Sequence, residues 1–267
     1  MSMMINTNLA SMNAQRNTST SQNALSTAMQ RLSSGLRVNS AKDDAAGLAI
    51  GQRMDAQARG MNVAIRNAND GISMAQTADG ALATVSDALQ RMRELAVQAS
   101  NGSNGTSDRI NLNTEYQQLS SEITDIAAQT KFNGKAVIGA GAGAQVFQVG
   151  ANVGDTLTVT TNAVTTVAGD LLTAGNANTA ITALDTGLDT VNTDRATYGA
   201  AMNRLGFASS NLQSSSENQS AARSRIMDAD FASETANLSR ANILQQAGNA
   251  MVAQANQQPQ QVMSLLR

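Results

Sequence analysis

Apolar residues recur at alternating steps of four and three along one stretch of the sequence, from Met54 to Ala99. Side chains with this spacing lie on one face of an α-helix, and the sustained repeat is typical of a coiled coil. At about 1.5 Å per residue the helix would be roughly 70 Å long, several times an ordinary globular helix. The series is Met54, Ala58, Met61, Ile65, Ala68, Ile72, Ala75, Leu82, Val85, Leu89, Met92, Ala96 and Ala99, with Asp79 standing where an apolar residue was due. An elongated helical protein is predicted.

Two later stretches repeat the spacing and can share the same apolar seam. The Asn and Gly cluster at 101–105 ends the first helix, and Ser107 or Asp108 is placed to cap the next one. The later series are Leu112, Tyr116, Leu119, Ile123 and Ile126, and then Ile181, Leu184, Leu188, Val191, Tyr198, Met202, Leu205 and Leu212. The predicted fold class is mainly α, a long antiparallel coiled-coil helical bundle.

Between these helices, residues 132–167 change character. Apolar and polar residues alternate at 146–149 and 156–160, which is the period of a β-strand. Asn133-Gly134 and Gly154-Asp155 are turn dipeptides that permit positive φ. A small β-hairpin region is predicted here, and residues 163–178 are the least determined by pattern.

Both ends of the chain carry sparse apolar stripes at helical spacing. A buried leucine contributes about 1.5 to 3 kcal/mol, whereas ordering each backbone residue costs roughly 1 to 2 kcal/mol. Such stripes need a partner, so we expect the termini to be disordered in a lone monomer and paired in a terminal coiled coil otherwise. Its predicted residues are Ile5, Leu9, Met12, Leu25, Met29, Leu32, Leu238, Ile243, Leu244, Met251, Val262, Leu265 and Leu266.

Composition excludes several classes of chemistry, because the chain has no histidine, cysteine or tryptophan. A Ser-His-Asp triad, a cysteine nucleophile, a His/Cys zinc site and a disulfide framework are all excluded. A net charge of -2 with scattered Lys and Arg makes nucleic acid and anionic membranes poor partners. No apolar run is long enough to span a bilayer, and the amino terminus lacks the order of a secretory signal. We expect no catalytic residue, no metal and no cofactor.

Two short motifs have both a functional and a structural interpretation. The pair Asp43 and Asp44 could serve acid-base chemistry, but adjacent helical residues point about 100° apart, so capping or salt-linking a turn is favoured. Asn101 and Asn104 match an N-glycosylation pattern, yet a helix-breaking turn explains them sufficiently.

Residues 32–50, LSSGLRVNSAKDDAAGLAI, resemble the amino-terminal signature of bacterial flagellins. The carboxyl end resembles the other half of that family independently, so the similarity covers about 1–160 and 180–267. Further segments similar to the family are 5–8, 67–73, 90–98, 132–134, 147–152, 224–232, 254–257 and 265–267. The chain departs from most of the family in its very short middle, and so resembles a minimal flagellin.

The resemblance implies a structural subunit, not an enzyme, that self-assembles into an extracellular flagellar filament for swimming. Terminal helices would form an inner tube, and the long helices and hairpin an outer tube. The implied segments are 1–40 and 229–267 for the two halves of the inner-tube domain, 41–130 and 181–228 for the outer helices, and 131–180 for the hairpin region.

The resemblance also implies partners. They are other copies of the chain, a flagellin export chaperone on the carboxyl-terminal stripe, the filament cap, the hook-filament junction proteins and the flagellar type III export apparatus. An export signal is expected in a disordered amino end, near 13–23. A vertebrate Toll-like receptor is expected to bind the monomer at positions that also pack between subunits: Gln90, Arg91, Glu94, Leu95, Gln98 and Glu115.

Two alternatives remain open from the sequence. A hook-filament junction protein of the same superfamily shares the paired terminal helices but would form a short ring. A soluble coiled-coil adaptor inside the cell would lack a reason for flagellin-like motifs at both ends.

Overall fold

A computed structural model describes residues 7–164 and 167–265, with side chains described as far as residue 257. Five long helices and two small hairpins account for its regular structure in these ranges. The elements are α1 (Leu9–Ser34), α2 (Ala45–Ser100), α3 (Thr106–Gln129), β1 (Lys131–Phe132), β2 (Lys135–Ala136), β3 (Gln145–Gln148), β4 (Thr156–Val159), α4 (Ala174–Met227) and α5 (Phe231–Leu265). The fold is mainly helical with a small antiparallel strand region, which confirms the predicted fold class.

The described chain divides into two compact units. We call Gln57–Glu217 the central unit, and the residues up to Ala56 together with those from Asn218 onwards the terminal unit. The division falls inside α2 and α4, so each unit contains part of both helices.

Three helices build the core of the central unit. Contacts between Asn62 and Ser216 and between Arg93 and Asp185 run in opposite order along α2 and α4, so these helices are antiparallel. Fully buried side chains on the shared face include Leu82, Leu89, Met92, Tyr116, Leu184, Tyr198 and Leu205. The predicted 4-3 spacing therefore does form a buried seam.

The apolar face of α2 is not interrupted near Asp79, contrary to the sequence prediction. Ala78 is fully buried between Ala75 and Leu82, so the buried face steps by three and then four without a gap. Asp79 lies beside the seam, where its Oδ1 accepts a hydrogen bond from Arg195 Nε at 2.8 Å. The sequence pattern did not show that the buried face is continuous here, because a small alanine such as Ala78 gives a weak apolar signal.

The turn between α2 and α3 has the predicted position, but the residue that caps α3 is Gly105, and the predicted Asp108 lies in the first turn of the helix. The Asp108 carboxylate accepts the backbone N–H of Gly105, the residue that precedes α3, at 3.0 Å. The Arg109 guanidinium donates from Nε to the Ala99 carbonyl, which lies at the end of α2. Both contacts satisfy backbone groups that helix ends leave open.

The two hairpins confirm the strand prediction. Asn133 and Gly134 adopt φ of 50° and 79° in the tight turn between β1 and β2, as an Asn-Gly turn allows. The β3 and β4 strands pair antiparallel, with Phe147 opposite Leu157. At Gly71 of α2, a Cβ would meet the Phe147 ring at 3.3 Å, so glycine lets this hairpin lie close against the helix.

The segment before α4, which sequence pattern left undetermined, packs on the helices. Leu171 is fully buried, and its backbone N–H donates to the Asn113 side chain of α3 at 2.9 Å. The helix itself begins at Ala174, earlier than the predicted start at 181, because Ala177 and Ala180 are buried alanines that extend the packed face.

In the terminal unit, α1 and α5 pair in antiparallel fashion. Asn8 Nδ2 donates to the Ala255 carbonyl at 2.7 Å at one end of the pair, and Arg31 lies 3.9 Å from Glu234 at the other. An isolated antiparallel bridge joins Leu36 to Asp228 between the helices' near ends. In this single chain the end segments are paired helices, whereas disordered ends were expected for a lone monomer.

Small residues form the contact between α1 and α5. Among the side chains of these helices that the structure describes, the buried ones are the small residues Ser11, Ala28, Ala241 and Ala255, together with the larger Glu234. At Gly248 a Cβ would lie 2.5 Å from Thr18 Oγ1, so the helices approach closely there. Most of the predicted Leu, Ile and Met stripe lies outside this contact, because close helix approach favours residues without bulk.

Residues 13–23, where a disordered export segment was expected, are helical within α1. Several of their side chains donate hydrogen bonds to backbone carbonyls one turn earlier, as when Thr18 Oγ1 donates to the Ala14 carbonyl at 2.9 Å.

None of the helices in the described ranges is long and apolar enough to cross a bilayer.

Candidate functional site

Large apolar side chains on α1 and α5 lie open to solvent in the single chain. Six residues of the predicted terminal stripe are each more than half exposed: Leu9, Met12, Met29, Ile243, Leu244 and Met251. Leu25, Leu32 and Leu238 are half-buried. Ile5, Leu266 and the side chains of Val262 and Leu265 lie outside the described part of the chain. Exposed apolar area of this extent is typical of an unfilled interface.

The connection from α1 to α2 is fastened by the two adjacent aspartates. Asp44 Oδ1 accepts the Gly47 N–H at 2.8 Å, which confirms that Asp44 caps α2. Asp43 Oδ2 accepts from Asn39 N, Ser40 N and Ser40 Oγ. The Ser40 hydroxyl, followed by the two backbone N–H groups, lowers the pKa of Asp43. These contacts show the two aspartates in the structural role of fixing a turn and capping a helix.

Arg91 of α2 joins two carboxylates on the surface of the central unit. Its Nη1 lies 3.0 Å from Glu94 Oε2, and its Nε donates to Glu115 Oε1 of α3 at 2.9 Å. Hydrogen bonds to Glu94 and then Glu115 raise the pKa of Arg91. About half of the Arg91 side chain remains exposed, so three charges are presented together. Gln90 and Gln98 are exposed on the same helix.

Leu95 does not belong to that exposed surface, which corrects the prediction that it stands beside Arg91 and Gln98 for recognition. It is 1% exposed and lies in the buried cluster of the central unit with Met92 and Ala99. The steps of three and four from Met92 to Leu95 to Ala99 place it in the seam.

A second ion pair across the helices was missed by sequence reasoning. Arg93 Nε donates to Asp185 Oδ1 at 2.6 Å, linking α2 to α4. The bond lowers the pKa of Asp185 and raises that of Arg93. Both side chains are nearly half exposed. The partners are far apart in sequence, so only the antiparallel register, once known, could have indicated the pair.

Acidic side chains do not gather into a metal-binding group anywhere in residues 7–164 and 167–265. The geometry offers surfaces for other macromolecules: an apolar one on the terminal unit, and a charged one on the central unit.

Family models cover both halves of the chain. The bacterial flagellin N-terminal helical region matches residues 5–140, and the bacterial flagellin C-terminal helical region matches residues 181–266. The chain belongs to the bacterial flagellin family.

Similarity to individual flagellins extends over the whole chain. A flagellin of Halalkalibacterium halodurans is 49% identical, with 99% of this chain and 100% of the relative covered. A flagellin of Bacillus subtilis is 39% identical at the same coverage. Flagellin A of Vibrio anguillarum is 33% identical over 379 aligned positions that take in all of both chains. Since this chain has 267 residues, that flagellin carries additional sequence, and the present one is a short form.

The crystal structure of Bacillus cereus flagellin is similar in fold and sequence. It matches with a TM-score of 0.52 and 38% identity over 59% of this chain and 94% of that one. As a flagellin, the chain is a structural subunit of the extracellular flagellar filament, built from copies of itself, and not an enzyme.

Proposed function

We propose that this flagellin is exported unfolded through the flagellar channel and polymerises at the distal tip through its terminal unit. In this proposal, 1–40 and 229–267 form the inner tube around the channel. Segments 41–130 and 181–228 form the outer tube, with 131–180 as its hairpin region. The observation that carries the proposal is the exposed apolar set on α1 and α5, headed by Leu9 and Ile243.

Burying the exposed apolar residues of α1 and α5 against a neighbouring copy would lower the free energy. Each large apolar side chain contributes about 1.5 to 3 kcal/mol when fully buried. Within one chain these residues remain in water, whereas a stacked copy would bury them and order the helices that carry them. If the terminal helices become ordered only when they dock on another copy, a filament can grow only at an end that already exists. A chain without cysteine and with a single proline is also free of covalent obstacles to unfolding for export.

The direct test replaces Ile243 and Leu244 by serine and follows seeded growth by electron microscopy. Both side chains are exposed in the monomer, so the substitutions leave its fold unchanged, and we expect growth to be lost. The matched control, Ile243→Val with Leu244→Met, keeps the apolar surface and should polymerise. Long fibres from the serine variant would refute the proposal, and rings that stop growing in the unaltered chain would assign it to the junction proteins instead.

The same stripe of α5 is the proposed site for an export chaperone. An amphipathic helix with Leu238, Leu244 and Met251 fits an apolar groove, which would also keep the stripe from aggregating before export. Deleting 230–267 should abolish chaperone binding and polymerisation together. If the truncated chain still polymerises, the inner-tube assignment is wrong.

Recognition of the monomer by a Toll-like receptor is proposed for the surface around Arg91, Glu94 and Glu115, with Gln90 and Gln98. Charged groups held in fixed geometry suit polar recognition, and a surface that packs between subunits in the filament is free on a monomer. We expect Arg91→Ala with Leu95→Ala to weaken both assembly and receptor signalling. Unchanged signalling by the monomeric double variant would refute the receptor proposal.

Because Leu95 is buried, replacing it would affect signalling indirectly, by changing how α2 packs against its neighbours. The single variant Arg91→Ala separates the two contributions, since it alters surface charge and leaves the core intact. Lys135→Ala removes an exposed charge from the hairpin. It is the matched control and should signal normally.

The remaining proposed partners are the export apparatus, the filament cap and the hook-filament junction proteins.

A further inference from the structure

The chain contains three Asn-Gly pairs, and the structure treats them differently. They are Asn101-Gly102 and Asn104-Gly105 in the turn after α2, and Asn133-Gly134 in the first hairpin. At such a pair the backbone nitrogen of glycine can attack the asparagine side-chain amide, since glycine has no Cβ to obstruct the approach. We propose that Asn101 is a site of spontaneous deamidation, selected over the other two by the fold.

The reaction needs only water. The Gly102 nitrogen forms a bond to Asn101 Cγ and releases its proton to solvent, while the Cγ–Nδ2 bond breaks and the departing NH2 group takes up a proton from solvent to leave as ammonia. Water then opens the five-membered imide at either carbonyl, giving aspartate or isoaspartate. No group is oxidised or reduced.

Asn101 is the least restrained of the three. It is exposed, and within the described chain neither its Nδ2 nor the Gly102 N–H has a hydrogen-bond partner. Its backbone N–H donates to the Gln98 carbonyl at 3.2 Å, and its Oδ1 accepts from Ser103 N at 3.3 Å. Its carbonyl accepts from Asn104 N at 3.3 Å and from Arg109 Nη2 at 3.2 Å. These contacts are at or beyond the long end of the normal hydrogen-bond range, so rotation at Asn101 disturbs little.

At Asn104 both reacting groups are held. Its Nδ2 donates to the Gln98 carbonyl at 2.6 Å, and the attacking nitrogen of Gly105 donates to the Asp108 carboxylate at 3.0 Å. A carboxylate acceptor also disfavours loss of the amide proton, because the product would be a second negative charge beside it.

At Asn133 the backbone is fixed. Its φ of 50° and that of Gly134 belong to a turn clamped by the pairing of Phe132 with Lys135. Rotation toward the attacking geometry would break this hairpin.

Deamidation at Asn101 would add a negative charge at the carboxyl end of α2, where the helix dipole already disfavours one. Isoaspartate would also lengthen the backbone of the turn by one carbon. The surface next to Gln98 would change slowly and irreversibly with the age of the molecule.

The test incubates the folded chain in mildly alkaline buffer and locates deamidation by peptide mass spectrometry with fragmentation. We expect Asn101 to react about tenfold or more faster than Asn104 and Asn133, since those sites must first open held hydrogen bonds. In denaturant the three should react at similar rates. Equal rates in the folded chain, or faster reaction at Asn104 or Asn133, would overturn the proposal.

Paired alanine variants supply the control. A Cβ at Gly102 meets nothing within 4 Å, and one at Gly105 meets only Asp108 Oδ2 at 3.5 Å, so alanine fits at both. Gly102→Ala should slow reaction at Asn101 about tenfold or more, whereas Gly105→Ala should leave it unchanged. An unaltered rate in Gly102→Ala would exclude attack by the Gly102 nitrogen.

Discussion

At the scale of single residues, neighbours on α2 have separate tasks. Leu95 lies in the core of the central unit, while Arg91, one turn earlier, bonds to Glu115 of α3 on the surface. Residues four apart lie on the same side of a helix. The buried stripe takes only about three of every seven positions, so a residue at its edge can be exposed while its neighbour one turn away is buried. Any effect of changing Leu95 therefore includes the loss of packing.

The first prediction compares these two residues by denaturant unfolding of the monomer. Leu95→Ala should lower the free energy of unfolding by about 2 to 5 kcal/mol, because a buried leucine is replaced by a cavity. Arg91→Ala should lower it far less, since half-exposed ion pairs contribute little to stability. Equal losses would contradict the assignment of Leu95 to the core and Arg91 to the surface.

The second prediction concerns acid sensitivity at Asp43. Its pKa lies below the ordinary 3.8 when folded, so the stability it contributes is fully present above that value and is lost as the pH falls through the lowered pKa. Asp43→Asn should therefore match the unaltered chain in strong acid and be less stable above pH 4 or so. Urea midpoints across this pH range measure the difference.

Ser40→Ala provides the internal check on that prediction. The Ser40 hydroxyl is the largest cause of the lowered pKa, so its removal should reduce the pH-dependent step without abolishing it. A step of unchanged size in Ser40→Ala would show that the backbone N–H groups alone set the pKa.

At the scale of elements, sequence periodicity was sufficient for the long helices and insufficient for the helix pair at the termini. Large residues at steps of three and four revealed the seam of α2, and Asn133-Gly134 revealed the first hairpin. The contact of α1 with α5 depends on Ser11, Ala28 and Gly248, and such small residues have no distinctive pattern. Ion pairs such as Arg93 with Asp185 depend on register, which no local pattern fixes.

The third prediction tests the close approach of α1 and α5. In Gly248→Ala the new Cβ would clash with Thr18 Oγ1 at 2.5 Å, and overpacking of this kind costs about 1 to 3 kcal/mol. Alanine also favours a helix by roughly 1 kcal/mol over glycine, which offsets part of the loss. Circular dichroism during thermal unfolding should show a weakened terminal unit.

Thr18→Ala supplies the rescue, because it removes Oγ1 and leaves the Thr18 Cβ at 3.4 Å and Cα at 3.7 Å as neighbours of the new methyl group. The double variant should recover most of the stability lost in Gly248→Ala. Simple addition of the two single effects would mean that the helices do not meet at this point.

The fourth prediction uses the two tyrosines, Tyr116 of α3 and Tyr198 of α4, both fully buried in the central unit. Burial and then the charge of Asp194 raise the pKa of Tyr198 to about 12, and burial raises that of Tyr116. Stability linked to Tyr198 is full below the ordinary 10.0 and is lost as the pH rises through about 12. Ultraviolet absorbance should show phenolate forming above pH 10 in the folded chain but near 10 in denaturant.

At the scale of the whole molecule, the two units have unequal cores. The central unit buries large side chains from three helices, from β4 and from the segment after β2, among them Leu82, Ile138 and Leu205. Among the described side chains of the terminal unit, the buried apolar residues are few and mostly small, and the larger ones are Val38 and Met227. Local stability follows buried apolar contact, so the terminal helices should open more readily than the central ones.

The fifth prediction follows this difference from monomer to filament by amide hydrogen exchange. In dilute monomer, amides of α1 and α5 should exchange much faster than those of the buried stretch of α2 from Leu82 to Ala96. In the filament both sets should be protected, because stacked copies would cover the exposed stripe that includes Met12, Met29 and Met251. The serine variant at Ile243 and Leu244 should show the fast pattern both in dilute solution and under the conditions in which the unaltered chain forms filaments. Full protection of α1 and α5 in the dilute monomer would contradict assembly through an incomplete interface, since the helices would then be stable without a neighbour.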